Sequence, residues 1–371
     1  MINYSKIFSI IVVALLVAAC ETSPATEKSA LEAKAKSLVK DDRPCLEVSL
    51  TGTLGGPGIS GNLAGSGTLV KVGTYANDCG DIHLQFDTGR ATGVRLAELG
   101  VNVNQLNAVF ITHLHSDHTV GLIDIAQTRW HFLGKPFDLV CSGDHITPEP
   151  HSRVMSCREF GKNITAAAEA AGEIAQRSAE NKKRTALGPS SIINFIEVAT
   201  PLPTTPEVIW TAGDVTVSAI GSKHIPGHLS YRVDSPAGSV VIGGDAGNDV
   251  PKPPRTNSTS ANVELLAKDA DVLVHSTMHP IFHPDTGSKF PAALFYRQST
   301  APDLGALAER AGVEHLMLTH LIPVIGAVRH GPFVVPGGPV TAKDYEDSAK
   351  STGFQGNVHV GRDLLTIRLP E

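Results

Sequence analysis

The sequence predicts an α/β fold, and three observations carry that prediction. Apolar, strand-like runs alternate with helical segments from Leu46 onward. Several of those runs end directly on residues able to do chemistry, among them His113, Asp245 and His320, at the strand ends where α/β folds place their functional loops. The composition, 42% hydrophobic and 18% charged over 371 residues, supplies a sizeable core and excludes a disordered or low-complexity chain.

The N-terminus is read separately from the fold. Met1 to Ser9 carries one basic residue, Lys6, and leads into an apolar run from Ile10 to Ala19 that stops at Cys20. That run is shorter than the roughly 20 residues needed to cross a bilayer, and it reads as a signal peptide. Val17-Ala18-Ala19-Cys20 resembles a bacterial lipobox. The expectation is therefore removal of residues 1–19, a lipid on Cys20, a polar tether over residues 20–42, and a single domain over residues 43–371, exported and anchored to a membrane on its periplasmic side. Cys45, Cys79, Cys141 and Cys157 remain, an even number that suits two disulfides in an oxidising compartment. Pairing Cys45 with Cys79 and Cys141 with Cys157 closes the short loops; four reduced thiols are the alternative.

Within the domain, Cys45–Thr53 reads as a strand, separated by Gly55, Gly56, Pro57 and Gly58 from a second at Ser66–Val72. Ile82–Phe86 is a third, ending in Asp87-Thr88-Gly89. A short helix is expected over Gly89–Leu99, an apolar strand over Ala108–Thr112, and a helix over Asp117–Thr128 with Ser116 or Asp117 as its cap. Residues 133–210 are the least readable stretch and form a variable insert, with a strand near Phe137–Cys141, an Ala-rich helix from about Asn163 to Lys183, and prolines at 201, 203 and 206. Strands follow at Val215–Ile220, Ser230–Val233 and Ser239–Ile242, then a loop over Pro251–Ser260, a helix at Val263–Ala267 and a strand at Asp271–His275. Last come a helix at Leu304–Ala311 and a strand at Leu316–Thr319 that ends on His320. There is no internal repeat.

The 37 acidic residues outnumber the 31 basic ones, giving a net charge of -6, which argues against a broad phosphate-neutralising surface for duplex nucleic acid. Sixteen histidines against five tyrosines direct attention to imidazole chemistry. Thr112-His113-Leu114-His115-Ser116-Asp117-His118 packs three imidazoles and a carboxylate into one loop straight after a strand. In extended backbone His113 and His115 point to the same side, and a turn at Ser116 swings Asp117 and His118 toward a second point, so one loop can serve two metals. His224, Asp245 and His320 recur at later strand ends. A merely solvated polar loop would not need them.

These residues resemble the metallo-β-lactamase superfamily, whose signature is His-x-His-x-Asp-His. The glycine-rich Gly52-Thr53-Leu54-Gly55-Gly56-Pro57, Phe86-Asp87-Thr88-Gly89, the strand Asn107–Thr112, the His224 to Arg232 segment, Gly244-Asp245 and Leu318-Thr319-His320 are similar to the ribonuclease Z and arylsulfatase-like branch. The resemblance spans about Leu46 to Leu321. It implies a four-layer αββα sandwich. It also implies one metal held by His113, His115 and His224, a second held by Asp117, His118 and His320, and Asp245 between them. The expected cofactors are two zinc ions, with manganese or iron as alternatives, which carry a bridging hydroxide and leave a net positive site suited to an anion. Asp87 would orient a ligand imidazole; the simpler reading is a turn aspartate. His228 lies in the same turn as His224, and the spacing to Tyr231-Arg232 favours His224.

The flanking residues narrow the reaction. Asp271-Val-Leu-Val-His275 resembles the ribonuclease Z segment whose histidine donates a proton to the leaving group, but Ser276 stands where that family has glutamate. Asp117, as ligand, and His275, as proton donor, are the residues expected in the reaction; a structural histidine is the alternative at 275. Gln298-Ser299-Thr300 replaces a His-Ser-Thr motif. Only 20 residues separate His224 from Asp245, too few for a transfer-RNA-gripping arm. The expectation is a hydrolase of a small anionic ester, either a phosphodiester such as a cyclic nucleotide or an aryl sulfate. The alternatives are an acyl hydrolase of β-lactams or lactones and an inactive metal-binding lipoprotein. The expected partners are that small substrate, a membrane through the lipid on Cys20, and a second copy in a homodimer, with no duplex nucleic acid.

Overall fold

The computed structural model describes residues 41–145, 153–249 and 259–370. The expected signal peptide, the lipidated Cys20 and nearly all of the tether lie outside these, as do His151 and most of the Pro251–Ser260 loop. No helix among the described residues is long and apolar enough to cross a membrane.

Two seven-stranded sheets form the centre of the molecule. The first contains β1 (Pro44–Gly52), β2 (Gly67–Thr74), β3 (Ile82–Phe86), β4 (Ala108–Phe110), β5 (Phe137–Ser142) and β6 (Ile193–Val198), with the last strand of the chain, β16 (Thr366–Leu369), added beside β1. The second contains β7 (Glu207–Ala212), β8 (Val215–Gly221), β9 (Leu229–Ser235), β10 (Gly238–Ile242), β11 (Val272–Met278), β12 (His315–Ile322) and β15 (Asn357–Val360), in the order β15-β12-β11-β10-β9-β8-β7. A small hairpin, β13 (Arg329–His330) with β14 (Phe333–Val334), stands apart. Both sheets are mixed: β3 to β6 run parallel, as do β10, β11, β12 and β15, while the remaining neighbours are antiparallel.

Strand alternation explains why the layers stack as they do. Leu84, Phe86, Ala108 and Phe110 from the first sheet meet Tyr231, Val233, Val240, Ile242, Val272 and Val274 from the second in one apolar interior. The intervening residues point outward. Val109, Ile111 and Leu139 pack under helices α1 (Thr92–Glu98), α3 (Leu122–His131) and α4 (Cys157–Ala170). On the opposite side Val241, Leu273, Leu316 and Leu318 pack under α6 (Ala261–Ala267), α8 (Ala301–Ala311) and α9 (Ala342–Lys350). The result is the expected αββα sandwich with three apolar layers. Phe86 and Phe110 stack at 4.8 Å, and Tyr231 adds an edge contact while its hydroxyl donates to the Ile111 carbonyl at 2.7 Å, tying the sheets together.

Most expected strands are present within a residue or two, and the departures have local causes. The helix expected over Asp117–Thr128 is two, α2 (Ser116–Thr119) and α3, because Gly121 lies so close to Gly89 that a Cβ there would sit 2.4 Å from its carbonyl oxygen. The Ala-rich helix is also two, α4 and α5 (Glu173–Glu180), broken where Gly172 takes φ +80°. Beyond Leu321 the sequence showed no elements. The structure has β13 to β16 and α9 there, besides α7 (Ala292–Arg297) ahead of α8.

Cys45 is joined to Cys79 and Cys141 to Cys157, closing separations of 34 and 16 residues. The first joins the start of β1 to the turn before β3; the second joins β5 to the N-terminus of α4. Removing either bridge by paired Cys→Ala substitution is expected to lower stability by about 3 kcal/mol, measured by guanidinium unfolding. Free-thiol counting on the unreduced protein should find neither pair reactive.

Candidate metal centre

The site is assembled at one end of the sandwich, where four strand ends meet. Asp87 follows β3 and takes φ +54°, held by its amide donating to the Phe110 carbonyl at 2.7 Å. Its buried carboxylate accepts from the Thr112 amide at 2.8 Å, from Thr112 Oγ1 at 2.9 Å, and from His118 Nδ1 at 2.7 Å. His118 is therefore protonated on Nδ1, and its Nε2 lone pair faces the site. The same logic runs through Thr112, whose hydroxyl donates to Asp87 and accepts from His113 Nδ1 at 3.1 Å, leaving His113 Nε2 free as a donor to a metal. Asp87 is thus a positioning residue and not a simple turn aspartate.

His113 and His115 leave the β4 end, and α2 brings Asp117 and His118 round. His320 is aimed by a bulge. It is skipped in the parallel register of β11 with β12, where Ser276 faces Thr319 and Thr277 faces Leu321, and it takes φ +48°. The glycine-rich turn passes directly over it: a Cβ on Gly55 would lie 2.7 Å from the His320 carbonyl oxygen, and the Gly56 amide approaches His320 Nε2 at 3.1 Å. Only glycine permits that approach.

The expected ligand atoms converge. His113 Nε2 is 2.9 Å from His115 Nδ1, which is 3.4 Å from His224 Nε2. His320 Nε2 is 3.2 Å from Asp117 Oδ2, and His118 Nε2 is 3.7 Å from the same oxygen. Asp245 reaches both groups, with Oδ1 3.5 Å from His118 Nε2 and Oδ2 3.7 Å from His224 Nε2 and 3.4 Å from His320 Nε2. The structure thus gathers two sets of three, His113/His115/His224 and Asp117/His118/His320, about one carboxylate.

His224 and His228 separate clearly. His228 Nε2 accepts from the Asp245 amide at 3.1 Å, and its Nδ1 bonds Ser222 Oγ at 2.8 Å, so both ring nitrogens are spent holding the turn that presents Asp245. Gly244, at φ +61°, fits against this ring, since a Cβ there would be 3.0 Å from His228 Nε2.

The structure does not bring His275 to the cavity. It lies fully buried on the face of β11 shared with Leu273, while Ser276 faces the inter-sheet side near Asp245 and His320. Its ring lies against Gly243, where a Cβ would be 2.1 Å from Cδ2, and Nδ1 donates to the Ser276 carbonyl at 2.8 Å. Burial lowers its pKa to about 4. His275 is not among the residues that line the cavity, and its Nε2 is buried without a hydrogen-bond partner among the described residues, so the geometry lends the expected proton-donor role no support.

Whether the residues fit metal ions is decided by their unsatisfied atoms. Of the atoms that face the site, His118 Nε2 and Asp245 Oδ1 are buried without a hydrogen-bond partner among the described residues, a costly state for polar atoms. Burial lowers the pKa of His113, and that of His224 to about 4, so both stay neutral and able to ligate at pH 7. At His118 burial opposes protonation, but Asp245 and Asp87 outweigh it and raise the pKa well above 6.5. Left to protons alone, the cluster keeps a charge on His118. Imidazole and carboxylate donors in two groups fit two divalent cations of the zinc type.

A cavity of about 600 Å³ opens over His115, Asp117, His224, Asp245 and His320. Its other walls are apolar, with Leu54, Met278, Phe290, Ile322, Val324 and Phe333, and polar at Arg297, Gln298, Arg329 and His330. Phe290 stacks on Phe282 at 4.9 Å and meets the Phe333 edge at 5.0 Å. Sequence reasoning missed Arg297 and the β13–β14 hairpin. The hairpin's signal was the Gly331-Pro332 turn between two short runs; Arg297 directly precedes the Gln298-Ser299-Thr300 segment, which drew attention to position 298 and not to its neighbour.

Comparison with known proteins agrees with this geometry. Residues 64–148, which hold Asp87 and the His113 to His118 loop, match the family model described as anti-Pycsar protein Apyc1. The ribonuclease Z of Mycobacterium bovis is 29% identical over 328 residues, 87% of this chain and 98% of that protein. Among solved structures, the metallo-β-lactamase fold protein YhfI of Bacillus subtilis superposes with a TM-score of 0.54 at 19% identity, covering 87% of this chain and 99% of that one. The short form of human tRNase Z gives 0.54 at 15% identity, covering 88% and 100%. The chain has the metallo-β-lactamase fold. Over most of its length its sequence is similar to that of ribonuclease Z.

Two outcomes test the site. His224→Ala should lose metal by elemental analysis, whereas His228→Ala should keep its stoichiometry with affinity weakened about 10- to 100-fold. Because the His118 pKa is raised in the metal-free protein, zinc binding at pH 7 should displace its proton. Apparent affinity should then rise with pH through neutrality, and calorimetry in buffers of different ionisation enthalpy should show proton release.

Proposed function

We propose that this protein is a dinuclear metal-dependent hydrolase of a small anionic ester, foremost a phosphodiester such as a cyclic nucleotide, and after it an aryl sulfate. The observation that carries this reading is one carboxylate, Asp245, set between two groups of three potential ligands at the floor of a cavity. Similarity to ribonuclease Z over most of the chain supports phosphodiester hydrolysis at the coarser level.

His113, His115 and His224 would hold one cation, Asp117, His118 and His320 the other, and Asp245 both. Two divalent ions there, zinc foremost with manganese or iron as alternatives, supply positive charge and lower the pKa of water. The remaining work belongs to the chain. Asp87 keeps the proton on His118 Nδ1, and Thr112 orients His113. His228 fixes the Asp245 backbone. Leu54, Met278, Phe290 and Phe333 exclude water around an apolar part of the substrate.

A transfer-RNA substrate is disfavoured. The 20 residues between His224 and Asp245 are used by the His228 turn and by β9 and β10 with their tight turn at Pro236-Ala237, leaving no arm. Export with a lipid on Cys20 belongs to the same proposal, and the two disulfides support an oxidising compartment.

The test is hydrolysis of bis-p-nitrophenyl phosphate, p-nitrophenyl sulfate and nitrocefin, side by side, by zinc-loaded and manganese-loaded protein spanning residues 21–371. Phosphodiester turnover that falls about 100-fold or more in Asp117→Ala, and that chelation abolishes, is the expected result. Nitrocefin turnover alone would establish an acyl hydrolase instead.

A further inference from the structure

Arg297 lines the cavity, the metal centre does not use its chemistry, and no carboxylate among the described residues answers its charge. It ends α7 and lines the cavity together with His115, Asp117, His224, Asp245 and His320. Its Nε is buried and has no hydrogen-bond partner, and no carboxylate among the described residues pairs with its guanidinium.

The chain holds Arg297 in place by its backbone. Its carbonyl lies so close to Gly247 that a Cβ on that glycine would sit 1.8 Å away. Two residues on, Ser299 Oγ donates to the Ala246 carbonyl at 2.9 Å, and the Met278 amide donates to the Ser299 carbonyl at 3.0 Å. The segment that carries Arg297 is therefore stitched to the turn that carries Asp245. At the buried Nε its side chain has no acceptor among the described residues.

A guanidinium without a counter-charge, beside a pocket built for two further cations, is electrostatically costly. An anion placed between them removes that cost, and the planar fork of arginine suits two oxygens of a tetrahedral centre. We propose that Arg297 is the anion-binding residue of this site, contacting the non-bridging oxygens of the substrate's phosphoryl or sulfuryl group and selecting charged tetrahedral esters over neutral acyl substrates. This rests on the ester-hydrolase reading above and adds the residue that sets its charge specificity. It accounts for Gln298 standing where the related motif has histidine: the cation is supplied one position earlier.

The experiment compares wild type with Arg297→Gln and Arg297→Lys, all zinc-loaded, residues 21–371. Calorimetry measures binding of inorganic phosphate. Kinetics follow bis-p-nitrophenyl phosphate and the neutral ester p-nitrophenyl acetate, and elemental analysis and thermal melts monitor the metal and the fold. Arg297→Gln should weaken phosphate binding and lower kcat/KM on the diester about 10- to 100-fold. Zinc content, melting temperature and acetate hydrolysis should stay close to wild type, and Arg297→Lys should recover part of the loss. Unchanged phosphate affinity in Arg297→Gln overturns the assignment, as does a loss in both variants that tracks zinc content. Phosphate binding does not depend on turnover. Wild type that binds phosphate through Arg297 and cleaves no diester or sulfate would leave the assignment standing and sink the proposed function, while diester turnover indifferent to Arg297 would do the reverse.

Discussion

Ring nitrogens and carboxylate oxygens face one another at 2.9 to 3.7 Å in a buried pocket, and only a proton or a cation between them offsets the cost of burying them together. Lone pairs repel, and protons satisfy only part of the set, as the unpartnered His118 Nε2 and Asp245 Oδ1 show. That constraint explains features with little value to a fold for its own sake: a left-handed aspartate after β3, a bulged histidine in a parallel strand, and three serial hydrogen bonds that spend both nitrogens of His228 to hold one backbone amide. The left-handed backbone at Asp87 and His320 costs stability locally and sets the direction of a side chain.

The supporting scaffold is built so that the donors cannot drift apart. Asp87 joins the ends of β3 and β4 to α2, because its one carboxylate is shared by Thr112 and His118. The Leu229 amide donates to the Thr112 carbonyl at 2.9 Å, and Tyr231 reaches Ile111, so the second sheet is tied to the same strand end. From the far end of the chain, Asp363 accepts from the Thr53 and Ala64 amides at 3.0 and 2.8 Å and from Arg95 Nε at 2.9 Å, pinning the glycine-rich turn that lies over His320. The centre is thereby determined by contacts from both sheets and from the C-terminus.

How much of this could be read from the sequence follows from the range of each interaction. The strands at Ile82–Phe86, Val215–Ile220 and Ser239–Ile242 carry their own apolar pattern; the seven candidate ligands were legible from the crowding over His113 to His118 and from the recurrence of His224, Asp245 and His320 at later strand ends, while their grouping into two sets came from a family resemblance. Asp87 and His228 were visible as residues, but their roles depend on partners 25 to 31 and 17 positions away. The return of β16 onto β1, across more than 300 positions, leaves no local trace, because Thr366–Leu369 is four residues long and half-buried. His275 misled because a motif match says nothing about strand parity: one step along β11 separates the inter-sheet face from the helix face. Arg297 was invisible since the six-residue helix that it ends was itself not read from the sequence.

The shape of the cavity bears on why two metals would be kept here. Two cations sharing Asp245 can oppose charge on attacking and departing oxygens together, which benefits a tetrahedral phosphorus or sulfur centre more than a planar carbonyl. Such a centre carries negative charge already in the ground state, so a site with only cations and imidazoles would attract any anion. The apolar wall of Leu54, Phe290, Ile322 and Phe333 works against that indiscriminate attraction, because inorganic anions gain nothing from it while an organic ester buries its non-reacting group there. Phe333 comes from the β13–β14 hairpin and Phe290 from the segment before α7, elements outside the two sheets that hold the ligands. On the proposed function, chemistry would be vested in the sandwich and selection in its appendages, so that substrate preference could change through the hairpin and the α7 region with the ligand set intact.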